Sequence, residues 1–139
     1  MATPFSEIYK LFLGKIDSYD FAKLTKEELE EDLKDYLDLA ISNFIVCTKD
    51  LEDMTDEGFN EKLTMKEKDI LATLMVLEFL KPKMATDELI IQALTDKDIR
   101  MTSQANHLKL VMELSKQIER RVQTAMNSYA IRNTEDKAK

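Results

Sequence analysis

The chain has 139 residues and a formal net charge of −7, with two glycines, two prolines, one cysteine and no tryptophan. That length suits one domain. The shortage of glycine and proline argues against an all-β fold built on tight hairpins, because most tight turns need one or the other. The acidic balance argues against bulk attraction to nucleic acid.

The charge is uneven along the sequence. Residues 1–99 hold 12 basic and 23 acidic side chains, giving −11, and residues 100–139 hold 8 basic and 4 acidic, giving +4. One reading is solvated helix faces. The other is contact between the acidic pole of one copy and the basic pole of the next. Leu, Met, Glu, Lys and Ala dominate, and all favour helix. The expected fold is all-α: one bundle of about five helices over residues 1–132, with a flexible tail at 133–139. A lone Cys47 forms no internal disulfide and suits a reducing compartment. The first residues lack the pattern of a signal peptide, and no stretch reads as membrane-spanning, so a cytoplasmic origin is expected.

Thr3-Pro4 looks like a helix start, with Thr3 as N-cap and Pro4 in the first helical position. Phe5, Ile8, Tyr9, Phe12 and Ile16 follow at helical spacing, and Leu11 and Leu13 widen the apolar side. Residues 17–24 form a connector with Tyr19, Phe21 and Leu24 as anchors. Thr25 opens a capping box with Glu28, and Leu24 and Leu29 stand at the positions of a hydrophobic staple. A helix over about 26–46 follows, with Leu29, Leu33, Tyr36, Leu37, Ala40, Ile41 and Phe44 on one stripe.

Residues 47–63 are the longest irregular stretch. Read as a calcium loop from Asp53, they place Gly58 at the sixth position. Thr64, however, falls at the twelfth, where a bidentate Glu is needed, so that reading is rejected. A mobile acidic loop and a loop ordered by a partner remain.

Thr64 and Glu67 form a second capping box, which launches a helix from Met65 to about Lys81. Its heart, residues 70–80, reads ILATLMVLEFL, with nine apolar residues of eleven pointing all round, as in a helix buried on every side. Pro82 should stop or kink it. Glu78 is the anomaly within it. A buried carboxylate needs a partner, and a structural pair fits better than a catalytic acid with no base or nucleophile nearby. Residues 87–94 read as a short helix capped by Thr86 or Asp87.

After a polar connector, Thr102 or Ser103 caps a last helix over about 104–132. Leu108, Val111, Ser115, Ile118, Val122, Ala125 and Tyr129 recur along it as a heptad seam. The seam either packs inside its own bundle or meets other chains. No P-loop or Gly-rich dinucleotide motif is present. One histidine, His107, and one cysteine do not make a zinc site, so no metal or other cofactor and no catalytic residue is assigned.

Four stretches together carry a resemblance: IYKLFLGKIDSY, EELEEDLKDYLDLAISNF, LMVLEFLKP and SQANHL. Over about Ile8 to Arg132 the chain resembles small helical proteins encoded among the virion structural genes of tailed phages and of prophages of Gram-positive bacteria. Within that group it is most similar to head-to-tail connectors, also called adaptor or head-completion proteins. The resemblance implies a helical bundle with a long helix and no enzymatic activity. It implies a homo-oligomeric ring in the virion neck, assembled in the host cytoplasm. The implied partners are further copies, the portal protein and adjacent neck or tail proteins, with no membrane and no specific nucleic acid. Leu108, Val111, Ile118, Arg120, Arg121, Val122, Tyr129 and Arg132 are then the expected contact residues. Two rivals stand beside it: a helical binding module for a host or regulatory protein, and an enzyme using Glu78 and His107 as acid–base groups.

Overall fold

The computed structural model describes residues 2–18, 26–93 and 99–138, with side chains described over 2–16, 32–81, 84, 106 and 108–132. Within these it is mostly helical: α1 (Phe5–Ser18), α2 (Lys26–Asn43), α3 (Met65–Ala93) and α4 (Ile99–Ala138). Two short strands, β1 (Thr3–Pro4) and β2 (Gly58–Phe59), pair antiparallel with Thr3 opposite Phe59.

α3 is the hub, and α1, α2 and α4 each pack against it. Nine of the eleven side chains over 70–80 are buried, Thr73 and Leu77 being the half-buried ones. The capping box forms as the spacing requires. The Thr64 N–H donates to Glu67 Oε1 at 2.7 Å, and the Glu67 N–H donates to Thr64 Oγ1 at 3.2 Å. From α1 come buried Phe5, Ile8, Phe12 and Ile16, and from α2 Leu33, Leu37 and Ala40, with Phe44 just beyond its end. Phe12, Tyr36 and Phe79 meet in one ring cluster, their centroids 6.0 to 6.1 Å apart, which joins α1, α2 and α3.

Among the described residues four helices replace the expected five, because α3 runs on through Pro82 to Ala93. Proline removes one helical hydrogen bond and crowds the preceding turn, but its fixed φ is itself helical. Thr86 and Asp87 therefore lie inside α3 and do not cap a separate helix. α4 starts at Ile99, so Thr102 and Ser103 lie inside it as well, and α4 carries helical backbone through 133–138, the stretch read as a tail. At about 1.5 Å per residue its 40 residues span roughly 60 Å. The Thr25 cap, the Leu24–Leu29 staple and the 17–24 anchors lie outside the described residues.

The N-terminus corrects a further expectation. Thr3 does not cap α1. Its hydroxyl donates to the Glu61 carbonyl at 2.8 Å and accepts the Leu63 N–H at 2.9 Å. The Phe5 N–H donates to the Glu57 carbonyl, and the Ala2 N–H to the Phe59 carbonyl, both at 3.0 Å. The segment 47–63 is thus ordered by the start of its own chain. Leu51, Phe59 and Leu63 sink into the core, and Phe59 meets Phe5 edge-on at 5.0 Å.

Candidate functional site

Eleven residues are close to three helical turns, so Glu67 and Glu78 stand only about 20° apart around α3. Leu71 and Leu74, both buried, lie between them on the same stripe. One face of the hub therefore carries two buried carboxylates, and each is answered from a different element.

Glu67 is 1% exposed. Beyond the capping box, its Oε2 accepts the Tyr129 hydroxyl of α4 at 2.6 Å. The Tyr129 oxygen accepts the Thr48 N–H at 3.0 Å and lies 2.9 Å from the Thr48 hydroxyl. A phenol has one proton, and the short bond to Glu67 uses it, so the Thr48 hydroxyl is the donor in that pair. Cys47 Sγ lies 3.9 Å from both Glu67 Oε2 and the Tyr129 oxygen. The Tyr129 ring packs on Phe44 at 5.3 Å. The first turn of α3, the far part of α4 and the turn after α2 are thereby tied at one point. Buried to this degree, Glu67 offers a substrate no access, and the cluster acts as a clamp.

Burial first, then the Glu67 hydrogen bond, pushes the Tyr129 phenol up to about 12, while burial raises the Cys47 thiol. Burial and then Asp38 push Tyr9 up to about 12 as well. An unfolded tyrosine titrates near 10. Below about pH 10 the two tyrosines keep the proton in both states, so they give no pH dependence there. Between about 10 and 12 the folded chain keeps protons that the unfolded chain has lost, and stability falls as pH rises. Tyr129 alone accounts for about 2–3 kcal/mol of that fall. Urea unfolding from about pH 9 to 12 should show it, and Tyr129→Phe should flatten the slope by that amount. An unchanged slope in the variant would assign the alkaline transition elsewhere.

Glu78 lies at the edge of a groove between α3 and α4. Its Oε1 accepts Asn43 Nδ2 at 3.0 Å and Lys81 Nζ at 2.7 Å. Lys81 is well exposed, so this carboxylate meets water at one edge. His107 has no described side chain, so the proposed Glu78–His107 pairing lies outside the described residues.

The expected contact residues divide into two sets. Val111, Ile118, Val122 and Tyr129 are buried in the chain's own core, with Met126 beside them. Their seam is spent on α3. Leu108 is half-buried, while Arg120, Arg121 and Arg132 are exposed. Lys109 and Lys116 add to this basic outer face. α2 faces the other way in charge, with Asp32, Asp35 and Asp38 exposed. Counted over its whole length α2 has two basic and seven acidic residues, net −5, and α4 has seven and four, net +3.

The burial of Glu67 and its tie to Tyr129 escape sequence reasoning, which sees the residue only as half of a capping box. Its spacing of four and seven to Leu71 and Leu74 was the available signal. Among the described residues no group of three or more His, Cys, Asp or Glu side chains could hold a metal ion, and no helix is long and apolar enough to cross a membrane. No protein-family model, no curated protein and no solved structure matches this chain.

Proposed function

We propose that this chain is a structural virion protein of a tailed phage, forming a ring in the neck that connects portal and capsid to the tail. The reading starts from the four resembling stretches. The observation that carries it furthest is the separation of charge between two helices, net −5 over α2 and net +3 over α4, with Asp32, Asp35 and Asp38 exposed on the one and Lys109, Lys116, Arg120, Arg121 and Arg132 on the other. A ring closed by identical copies needs two different surfaces that fit each other. Opposite charge on separate faces supplies the attraction and fixes which face meets which. Its partners are further copies, the portal protein and the adjacent neck or tail proteins.

The test is assembly. Purified chain added to portal-bearing, tailless heads should join the particles and make them competent to accept tails. Arg120→Glu with Arg121→Glu should cut incorporation about tenfold, which corresponds to about 1.4 kcal/mol of contact energy. Both side chains are exposed, so melting should stay within about 0.5 kcal/mol of wild type. A chain that never joins particles and binds neither portal nor tail components would overturn the proposal. The rival, a binding module for one host protein, draws on Ile45, which is 85% exposed beside the turn after α2. Recovery of one stoichiometric cellular partner, lost on Ile45→Lys, would favour it.

A further inference from the structure

A cavity of about 130 Å³ opens between α1, α3 and α4. Its floor is apolar: Ile70, Val76, Ile118 and Val122 line it, and all four are buried. Its mouth is charged. Lys15 and Arg121 stand there with Asp69, whose carboxylate is 2.9 Å from Lys15 Nζ. Arg121 makes no ion pair among the described residues. The mouth therefore holds one positive charge in excess over an apolar hole. A cavity of about 150 Å³ accepts benzene, so this one suits a branched aliphatic side chain.

The same chain carries a knob of that description. Leu39 is 49% exposed on the outer face of α2, with exposed Asp35, Asp38 and Ser42 around it. Asp38 is already paired with Lys34, while Asp35 makes no ion pair among the described residues. We infer that Leu39 of one copy seats in the cavity between α1, α3 and α4 of the next, with Asp35 set against Lys15 and Arg121. The knob and the hole share no residue, so the contact is head-to-tail and can repeat from copy to copy. Burying Leu39 removes exposed apolar surface, and the aspartate matches the excess charge at the mouth. This rests on the ring reading and names the surfaces that would build it.

Site-directed cross-linking tests it. Leu39→Cys and Thr73→Cys are each made in a full chain carrying Cys47→Ser, Thr73 being at the cavity wall. Both sites are at least partly exposed, which leaves the core intact. Mixed under mild oxidation, the two variants should give a cross-linked dimer several times more abundant than either variant gives alone. Asp35→Arg in the Leu39→Cys chain should weaken that dimer several-fold, and Arg121→Asp in the Thr73→Cys chain should restore it. A mixed dimer no more abundant than the self-dimers, or a restoring change without effect, overturns the inference. If the cross-link fails while wild-type chain still joins particles, this interface falls and the ring reading stands. If the cross-link forms and wild-type chain never joins particles, the ring reading falls and the contact stands.

Discussion

Glu67→Ala is expected to destabilise the chain by about 2–4 kcal/mol, since it deletes a buried acceptor and leaves its donors unanswered. At about 4 °C per kcal/mol for a chain of this size, the melting temperature should drop by roughly 8–16 °C. Three losses combine. The Thr64 N–H loses its acceptor, the Tyr129 hydroxyl loses its 2.6 Å bond, and the methylenes leave a void under α4. Tyr129→Phe keeps the ring on Phe44 but removes the hydroxyl that serves both Glu67 and Thr48. The two changes strike one network, so the double variant should cost less than the sum of the singles by about 1–3 kcal/mol. Strict additivity would show that the clamp is not a unit. Glu78→Ala should cost only about 1 kcal/mol, because its partners Lys81 and Asn43 are both exposed and can turn to water.

The contrast between the two glutamates shows how far the sequence was legible. Local rules worked at three places where the partners lie within one or two helical turns. The Thr64–Glu67 box, the α1 stripe and the all-round burial of 70–80 depend on residues three or four apart, and they form as the spacing requires. Glu78 stood out because its neighbours on every side are apolar. Glu67 did not, because a capping role already accounted for it, and its second partner lies 62 residues away. Thr3 failed for the same reason: its bonds go to Glu61 and Leu63, which no local grammar can see. Pro82 failed in the opposite direction: the rule treats proline as a stop, while its fixed φ is itself helical and α3 runs on through it. The seam of α4 was legible as a stripe. A stripe says which face is apolar and is silent on what covers it, and α3 covers this one. The residues left for a partner are then those outside the seam, among them Leu39, which periodicity alone does not mark.

Phe59→Ala is expected to cost about 3–5 kcal/mol, as truncation of a fully buried aromatic does. Its effect should also be local in a way that other core truncations are not. Phe59 has no exposure, packs edge-on to Phe5, and its backbone pairs with Ala2, Thr3 and Met54. It is the pin that holds the 47–63 segment to the start of α1. With the pin gone, the amides of Thr55 and Asn60, now bonded to the Gly58 and Asp53 carbonyls, should exchange with solvent well before those of α3. Ile118→Ala removes a comparably buried side chain from the other side of the hub and should leave that local protection intact. Equal loss of protection in both variants would mean that the segment unfolds only with the whole chain. The outcome bears on assembly. A segment already ordered by its own N-terminus adds no ordering cost when a neighbour binds against it. The charged residues it displays, Asp53, Asp56 and Glu57 among them, are then part of a surface formed before any partner arrives.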